Sequence, residues 1–289
     1  MRLQVRVPAT VANLGPGFDC LAMAVDLVNE VVLETGVQPG VEVLGEGSGE
    51  LPEDASNLVF RTMAYLAREA GGSLPPFRMR CRNAIPLERG LGSSAAAVVA
   101  GLLLAQRLLE ADLDGDRLLE VAVDVEGHPD NVAACLRGGL VVAYLSRDGW
   151  RAERLEPHPD LRPVLLVPEE ERLPTADARR SLPRDVPLSD AAFNAGRTAL
   201  AVVALTARPA LLPDALDDRL HQGRRLPLVP ASRALFEDLR EQGVPVCVAG
   251  SGPALLAFES DSGAVPELGP GWRVLRTAIS AVGAVVREG

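Results

Sequence analysis

The chain's sharpest chemical signal is the run PLERGLGSSAAAVVAGLLLA, which begins at Pro86. Gly90 and Gly92 permit backbone conformations and close approaches that a Cβ would block, and Ser93, Ser94 and Ala95 lead straight into an alanine-rich helix. A turn of this kind aims unpaired N–H groups at one point. With the positive end of the helix dipole they form an anion site, and the serine hydroxyls can reach phosphate oxygens or a magnesium ion. The run is neither the GxxxxGK[ST] nor the GxGxxG pattern. Taken alone, a Gly-Ser stretch is usually a turn whose serine caps a helix; here it has companions.

PATVANLGPGFDCLAMAVDL, from residue 8, packs Asn13, Gly15, Gly17 and Asp19 into a short turn after the first strand. VEGHPDNVAACLRGG, residues 125–139, gathers Glu126, His128, Asp130 and Asn131 within six positions. VAGSGPALLAF, residues 248–258, sets Gly250, Ser251 and Gly252 between two strands. Each alone has an ordinary reading as an Asx-rich turn, a helix-capping cluster or a hairpin. All 29 basic residues are arginine. A Walker lysine, a Schiff base and a lysine general base are therefore ruled out.

Positioning these groups calls for both helices and strands. Periodicity predicts helices over 57–70, 93–111, 116–125, 190–206 and 231–241. It predicts strands over 4–7, 31–35, 77–81, 140–144, 163–167, 244–249, 254–258 and 284–287. Strands and helices do not strictly alternate, so the class is α+β. At 289 residues two domains are expected. The Pro-rich stretch EPHPDLRP, residues 156–163, marks the junction, giving units 1–155 and 156–289. Residues 169–190 are too polar for a core element and read either as a surface loop or as a loop over a cleft.

Hydrophobic residues make up 47% of the chain and aromatics 3%, so Val, Leu and Ala must build the cores. The net charge of −10 disfavours nucleic acid and anionic membranes as partners. The longest apolar stretch, residues 95–105, is too short to span a bilayer, and the N-terminal residues carry no export signal, so a cytoplasmic location is expected. Cysteines 20, 81, 135 and 247 form no CxxC pair; they read as reduced and buried, with Cys20 near the site.

In this order, the segments resemble the three motifs of the GHMP kinase superfamily over almost the whole chain, and within it the homoserine kinase family most. PATVANLGPGFDCL, EGHPDN, TADARRSLP (residues 175–183) and DRLHQGRR (residues 218–225) carry that finer likeness. The resemblance implies a ribosomal S5 domain 2-like N-terminal domain and a ferredoxin-like C-terminal domain with the site between them. It implies ATP held by Pro86, Arg89, Gly90, Leu91, Gly92, Ser93, Ser94, Ala95 and Ala96, closed by Gly250, Ser251 and Gly252, with Mg²⁺ on Ser94 and Glu126. It implies L-homoserine among Asn13, Asp19, His128, Asn131 and Thr175, with Asp19 facing the ammonium, His128 and Asn131 nearer the alcohol, and Arg179 and Arg225 on the carboxylate. Phosphorylation of the side-chain hydroxyl, a step toward threonine, is the implied activity. Such enzymes are thought to need no dedicated base, though His128 and Asp19 stand as proton acceptors. Family members are often dimers; no seam is readable here. The rivals are another GHMP small-molecule kinase, of mevalonate or sugar type, and a non-catalytic ATP or amino-acid sensor. The chain departs from the family pattern at Ala22, at Val28 and at Gly223-Arg224.

Overall fold

The computed structural model describes residues 1–259 and 263–289. β1 (Arg2–Ala12) alternates as far as Val7 in the way that a half-buried strand requires, with Leu3, Val5 and Val7 in the core, and from Val7 to Ala12 it is buried on both faces. It pairs antiparallel with the long β2 (Leu21–Thr35), and the register shifts between Pro8 and Ala9, beside a residue with no N–H to give the ladder. β3 (Gly40–Gly45) runs parallel to β4 (Phe77–Asn83), and the connection between them carries α1 (Leu58–Glu69), the helical crossover that parallel pairing needs. Asn57 caps α1 by accepting the Val59 N–H at 3.0 Å.

α2 (Ser93–Leu108) buries its apolar middle, from Ala95 to Ala105, as its composition demands, and leaves Ser94 and Arg107 exposed near its ends. It packs on β1 and against α1, α3 (Gly115–Glu126) and α4 (Asp130–Arg137). β5 (Leu140–Ser146) pairs with the start of β2 and with β6 (Gly149–Leu155).

The second sheet contains β7 (Arg162–Pro168), β8 (Val246–Val248), β9 (Leu255–Glu259) and β10 (Trp272–Arg276) in the antiparallel order β10-β7-β9-β8, which is the strand order of a ferredoxin-like sheet. Between β7 and β8 come α5 (Thr175–Arg180), α6 (Leu188–Thr206), two single-turn helices, α7 (Leu212–Ala215) and α8 (Gln222–Arg225), and α9 (Pro230–Glu241). One face of this sheet packs on Phe236 and Leu239 of α9. Leu165, Val167, Leu256 and Phe258 on the other face join Ala201, Ala204 and Leu205 of α6 and the core of the first sheet. The two sheets thus share one continuous apolar interior. β11 (Val285–Glu288) returns to pair with β1, so the last strand belongs to the first sheet.

The polar segment 169–190 is not wholly irregular, because it contains α5. The predicted strand at 31–35 is the end of a strand ten residues longer at its start, and β3, β6 and β10 were not predicted. No helix among the described residues is long and apolar enough to cross a membrane.

Candidate active site

Between the two sheets lies a cleft of about 370 Å³. Gly90 and Gly92 both hold positive φ, +73° and +72°, and Gly92 caps α2 in the left-handed conformation with no side-chain hydrogen bond at the cap. A Cβ on Gly90 would fall against the Ala249 carbonyl oxygen, and one on Gly92 against Thr10 Oγ1. Glycine is therefore required twice over, by backbone conformation and by close approach. The first N–H groups of α2 have no partner within the helix and open on the cleft that Ser93 and Ser94 line.

The loop is stitched in place. Thr10 N–H donates to the Leu91 carbonyl at 3.2 Å and Ala254 N–H to the Arg89 carbonyl at 3.3 Å. Arg89 is buried, and it spends its guanidinium on main-chain carbonyls: Nε donates to Pro168 O at 2.9 Å, Nη2 to Glu169 O at 2.8 Å and Nη1 to Leu87 O at 3.3 Å. Its part in the site is to tie the loop to the end of β7. Ala95 and Ala96 pack in the core, and they and Gly252 do not line the cleft, whereas Pro86, Gly250 and Ser251 do.

Ser94 Oγ donates to Glu126 Oε2 at 2.8 Å, joining the first turn of α2 to the end of α3. Burial and the nearby Asp130 push the Glu126 carboxyl up to about 7, against the lowering effect of the Ser94 hydrogen bond. Two adjacent oxygen ligands beside an uncapped helix N-terminus suit a hard divalent cation with phosphate.

The opposite wall is built from side chains. Asn13, Leu14 and Asp19 all hold positive φ in the turn between β1 and β2. Asn13 Nδ2 donates to Gly250 O at 2.8 Å while its Oδ1 accepts the Asp19 N–H at 3.1 Å, so one amide fixes both the turn and the 250–252 loop. Asp19 is held by Arg179 in a two-pronged ion pair, Nη2 to Oδ1 at 2.7 Å and Nη1 to Oδ2 at 3.1 Å. Arg225, buried on α8, donates from Nη1 to Gly250 O at 2.7 Å. Burial and the neighbouring Arg179 lower its pKa to about 10. The guanidinium carbons of Arg179 and Arg225 lie 5.6 and 5.4 Å from the centre of the Phe18 ring. Gly223-Arg224, the departure beside Arg225, sits in α8 without keeping that arginine from the cleft.

His128 lines the cleft with its pKa held below the ordinary value by burial and Arg179. Asn131 Oδ1 accepts from Thr10 Oγ1 at 2.7 Å. Thr175 opens α5 at the rim. Cys20, half-buried beside this turn, is driven up to about 11 by burial and by Asp130 and Asp19.

Every residue that the resemblance assigns to ATP, Mg²⁺ or homoserine, other than Ala95, Ala96 and Gly252, lines this one cleft, whereas Gly15, Gly17 and Cys20 do not. Sequence reasoning assigned no part to Thr10, Phe18, Asp130 or His221. Asp130 is 3% exposed and lines the cleft, with burial and Asp19 raising its carboxyl to about 7. Thr10, Phe18 and His221 stand inside quoted motifs, but their type and spacing announce nothing until the motifs are brought together.

Residues 57–139 match the family model "GHMP kinases N terminal domain". The chain is 45% identical to the homoserine kinase of Streptomyces avermitilis, over 98% of this chain and 95% of that one. It is 42% identical to the homoserine kinase of Leifsonia xyli subsp. xyli, over 98% and 91% of the two chains. The crystal structure of homoserine kinase from Cytophaga hutchinsonii superposes with a TM-score of 0.83 at 27% identity, covering 99% of this chain and 97% of that one. With its motifs gathered in one cleft and likeness running the length of the chain, the protein belongs to the homoserine kinase family of the GHMP kinases.

Proposed function

We infer that the chain transfers the γ-phosphate of ATP to the side-chain hydroxyl of L-homoserine, giving O-phospho-L-homoserine and ADP. The observation that carries this reading is one cleft with Asp19, Arg179 and Arg225 on one wall and the α2 N-terminus with Ser94 and Glu126 on the other. An α-amino acid carries an ammonium and a carboxylate, and an Asp with two Arg matches that pair. Without ligand, Asp19 and Arg179 neutralise each other; a bound zwitterion takes each as a partner in turn.

The backbone N–H groups at 92–95 receive the phosphates, and Gly250 and Ser251 close the loop from the far side. Ser94 and Glu126 would hold Mg²⁺, which when bound neutralises phosphate charge. His128 and Asn131 flank the alcohol. Its oxygen forms the new bond to phosphorus as the bond to the ADP oxygen breaks, and its proton leaves to a phosphate oxygen or to neutral His128. Phosphoryl transfer asks chiefly for such positioning and charge neutralisation. We place the protein in the cytoplasm, acting in threonine biosynthesis, and divide it near residue 155 into a phosphate-loop unit, to which β11 returns, and a closing unit.

ADP release from Mg-ATP with L-homoserine, L-serine, L-threonine, mevalonate and galactose tests this. Turnover on homoserine is expected. Turnover on mevalonate or galactose instead would discard the amino-acid site, and no turnover on any would leave a sensor.

A further inference from the structure

His221 does not line the cleft, yet it touches what does. Its ring is completely buried, with Nε2 2.7 Å from Gly15 O and Nδ1 3.2 Å from Arg225 Nη1. A carbonyl can only accept and a guanidinium can only donate, so the ring carries its proton on Nε2 and accepts on Nδ1. Burial, with Arg225 beside it, depresses its pKa to about 4, which keeps that neutral form in place at neutral pH.

The surroundings leave the ring little freedom. Asp218 accepts the N–H groups of Leu220, His221 and Gln222 and fixes the start of α8. Asn194 on α6 donates to Asp218 at 3.0 Å and to Pro16 O at 3.1 Å, locking the 13–20 turn against the same helix. The Phe18 ring lies 5.5 Å from the imidazole. Arg225 in turn has few anchors: Nη1 bonds Gly250 O and His221, and buried Nε has no partner among the described residues. Two hydrogen bonds on a single nitrogen, with the Phe18 ring 5.4 Å from the guanidinium carbon, therefore set where the rest of the guanidinium points.

We propose that His221 is a positioning residue whose Nδ1 holds the Arg225 guanidinium in the orientation that reads the substrate carboxylate. The inference rests on the reading of Arg225 given above. It makes His221 act on homoserine recognition through Arg225 alone, with no contact to substrate or nucleotide.

Two substitutions separate the ring's two ends. His221→Asn keeps an acceptor near the Nδ1 position and loses the donor to Gly15; His221→Gln keeps a donor near Nε2 and loses the acceptor facing Arg225. Expected for His221→Gln is a homoserine KM raised about tenfold, with kcat and the ATP KM within about twofold, while His221→Asn stays within about threefold of wild type throughout. Arg225→Gln raises the homoserine KM by itself, and adding His221→Gln to it changes nothing more. Equal KM effects from the Asn and Gln variants, or an undiminished His221→Gln effect in the Arg225→Gln background, overturn the proposal. If Arg225→Gln raises KM and His221→Gln does not, only the role of His221 falls; if Arg225→Gln leaves KM unchanged, the carboxylate assignment falls with it. Nitrogen-15 spectra of histidine-labelled wild-type protein check the tautomer without any variant, and a proton on Nδ1 of His221 sinks the proposal outright.

Discussion

The two walls of the cleft are made of different material. The loop wall is mostly backbone: two glycines with positive φ, the N–H groups of one helix turn and a single Ser94–Glu126 contact. The arginine wall is mostly side chains brought from far apart, with Asp19 and Arg179 separated by 160 positions and Asn13 and Gly250 by 237. A backbone site tolerates loss of side chains but not their addition. A side-chain site behaves the opposite way, because each charged group is itself the recognition element and its removal leaves its partner unpaired.

Glu126 is where this contrast should break most visibly, since it is the loop wall's one charged side chain in the proposed metal site. Glu126→Gln is expected to keep its fold by circular dichroism and lose turnover on the order of 10²-fold, as removal of a preorganised charge-stabilising group does; normal turnover would remove the metal-ligand assignment. On the other wall, Arg179→Glu should raise the homoserine KM roughly 30-fold to 100-fold, for about 2–3 kcal/mol of lost recognition, and leave the ATP KM near wild type. An unchanged homoserine KM would mean that Arg179 serves only to pair with Asp19.

Adding a single methyl group to the loop wall should come next. Gly90→Ala forces a Cβ into the Ala249 carbonyl at a positive φ, so a loss of about 1–3 kcal/mol of stability and weaker ATP binding are expected by thermal melts with and without nucleotide. Ser93→Ala, which removes a side chain but leaves the N–H, should alter kcat/KM by about threefold or less; a larger loss would show the hydroxyls, and not the backbone, to be the phosphate ligands.

The smallest effect concerns Asp130. Its folded pKa of about 7 lies above the roughly 3.9 of an unfolded aspartate, so the native state holds the proton more tightly. The stability this confers is complete below about pH 4 and is lost as pH rises through about 7. Asp130→Asn cannot titrate, so the ligand-free Tm of wild type should fall relative to that variant between pH 5 and 8, and a rising difference would refute the buried-carboxyl assignment.

How far the sequence could be read follows from how local each feature is. The α2 N-terminus, the helix that begins at Asn57 and the apolar alternation over 4–7 depend on residues a few positions apart, and these features are explicit in composition and spacing, although β1 runs on to Ala12. The part in the site of residues such as His128 and Arg225 came through likeness of motif, since nothing in a lone His or an Arg-Arg pair distinguishes a binding group from a solvated one. Arg89 shows the limit of that route. It stands inside the phosphate-loop motif, but the geometry spends its donors on Pro168, Glu169 and Leu87 carbonyls. α5 was hidden because a single six-residue stretch, four of its residues polar, is too short to carry an apolar period, and its helix is fixed by neighbours.

By itself the sequence determined an α+β chain with a glycine-serine helix start, no lysine chemistry and a net negative charge, because these properties follow from residue type, period and charge. Only the tertiary structure decided that β11 closes the first sheet, that both sheets share one core, that Asp19 and Arg179 satisfy each other and that His221 faces Arg225. Hydrogen-bond partners and buried charges are set by which distant groups share a dry volume, and that is a property of packing.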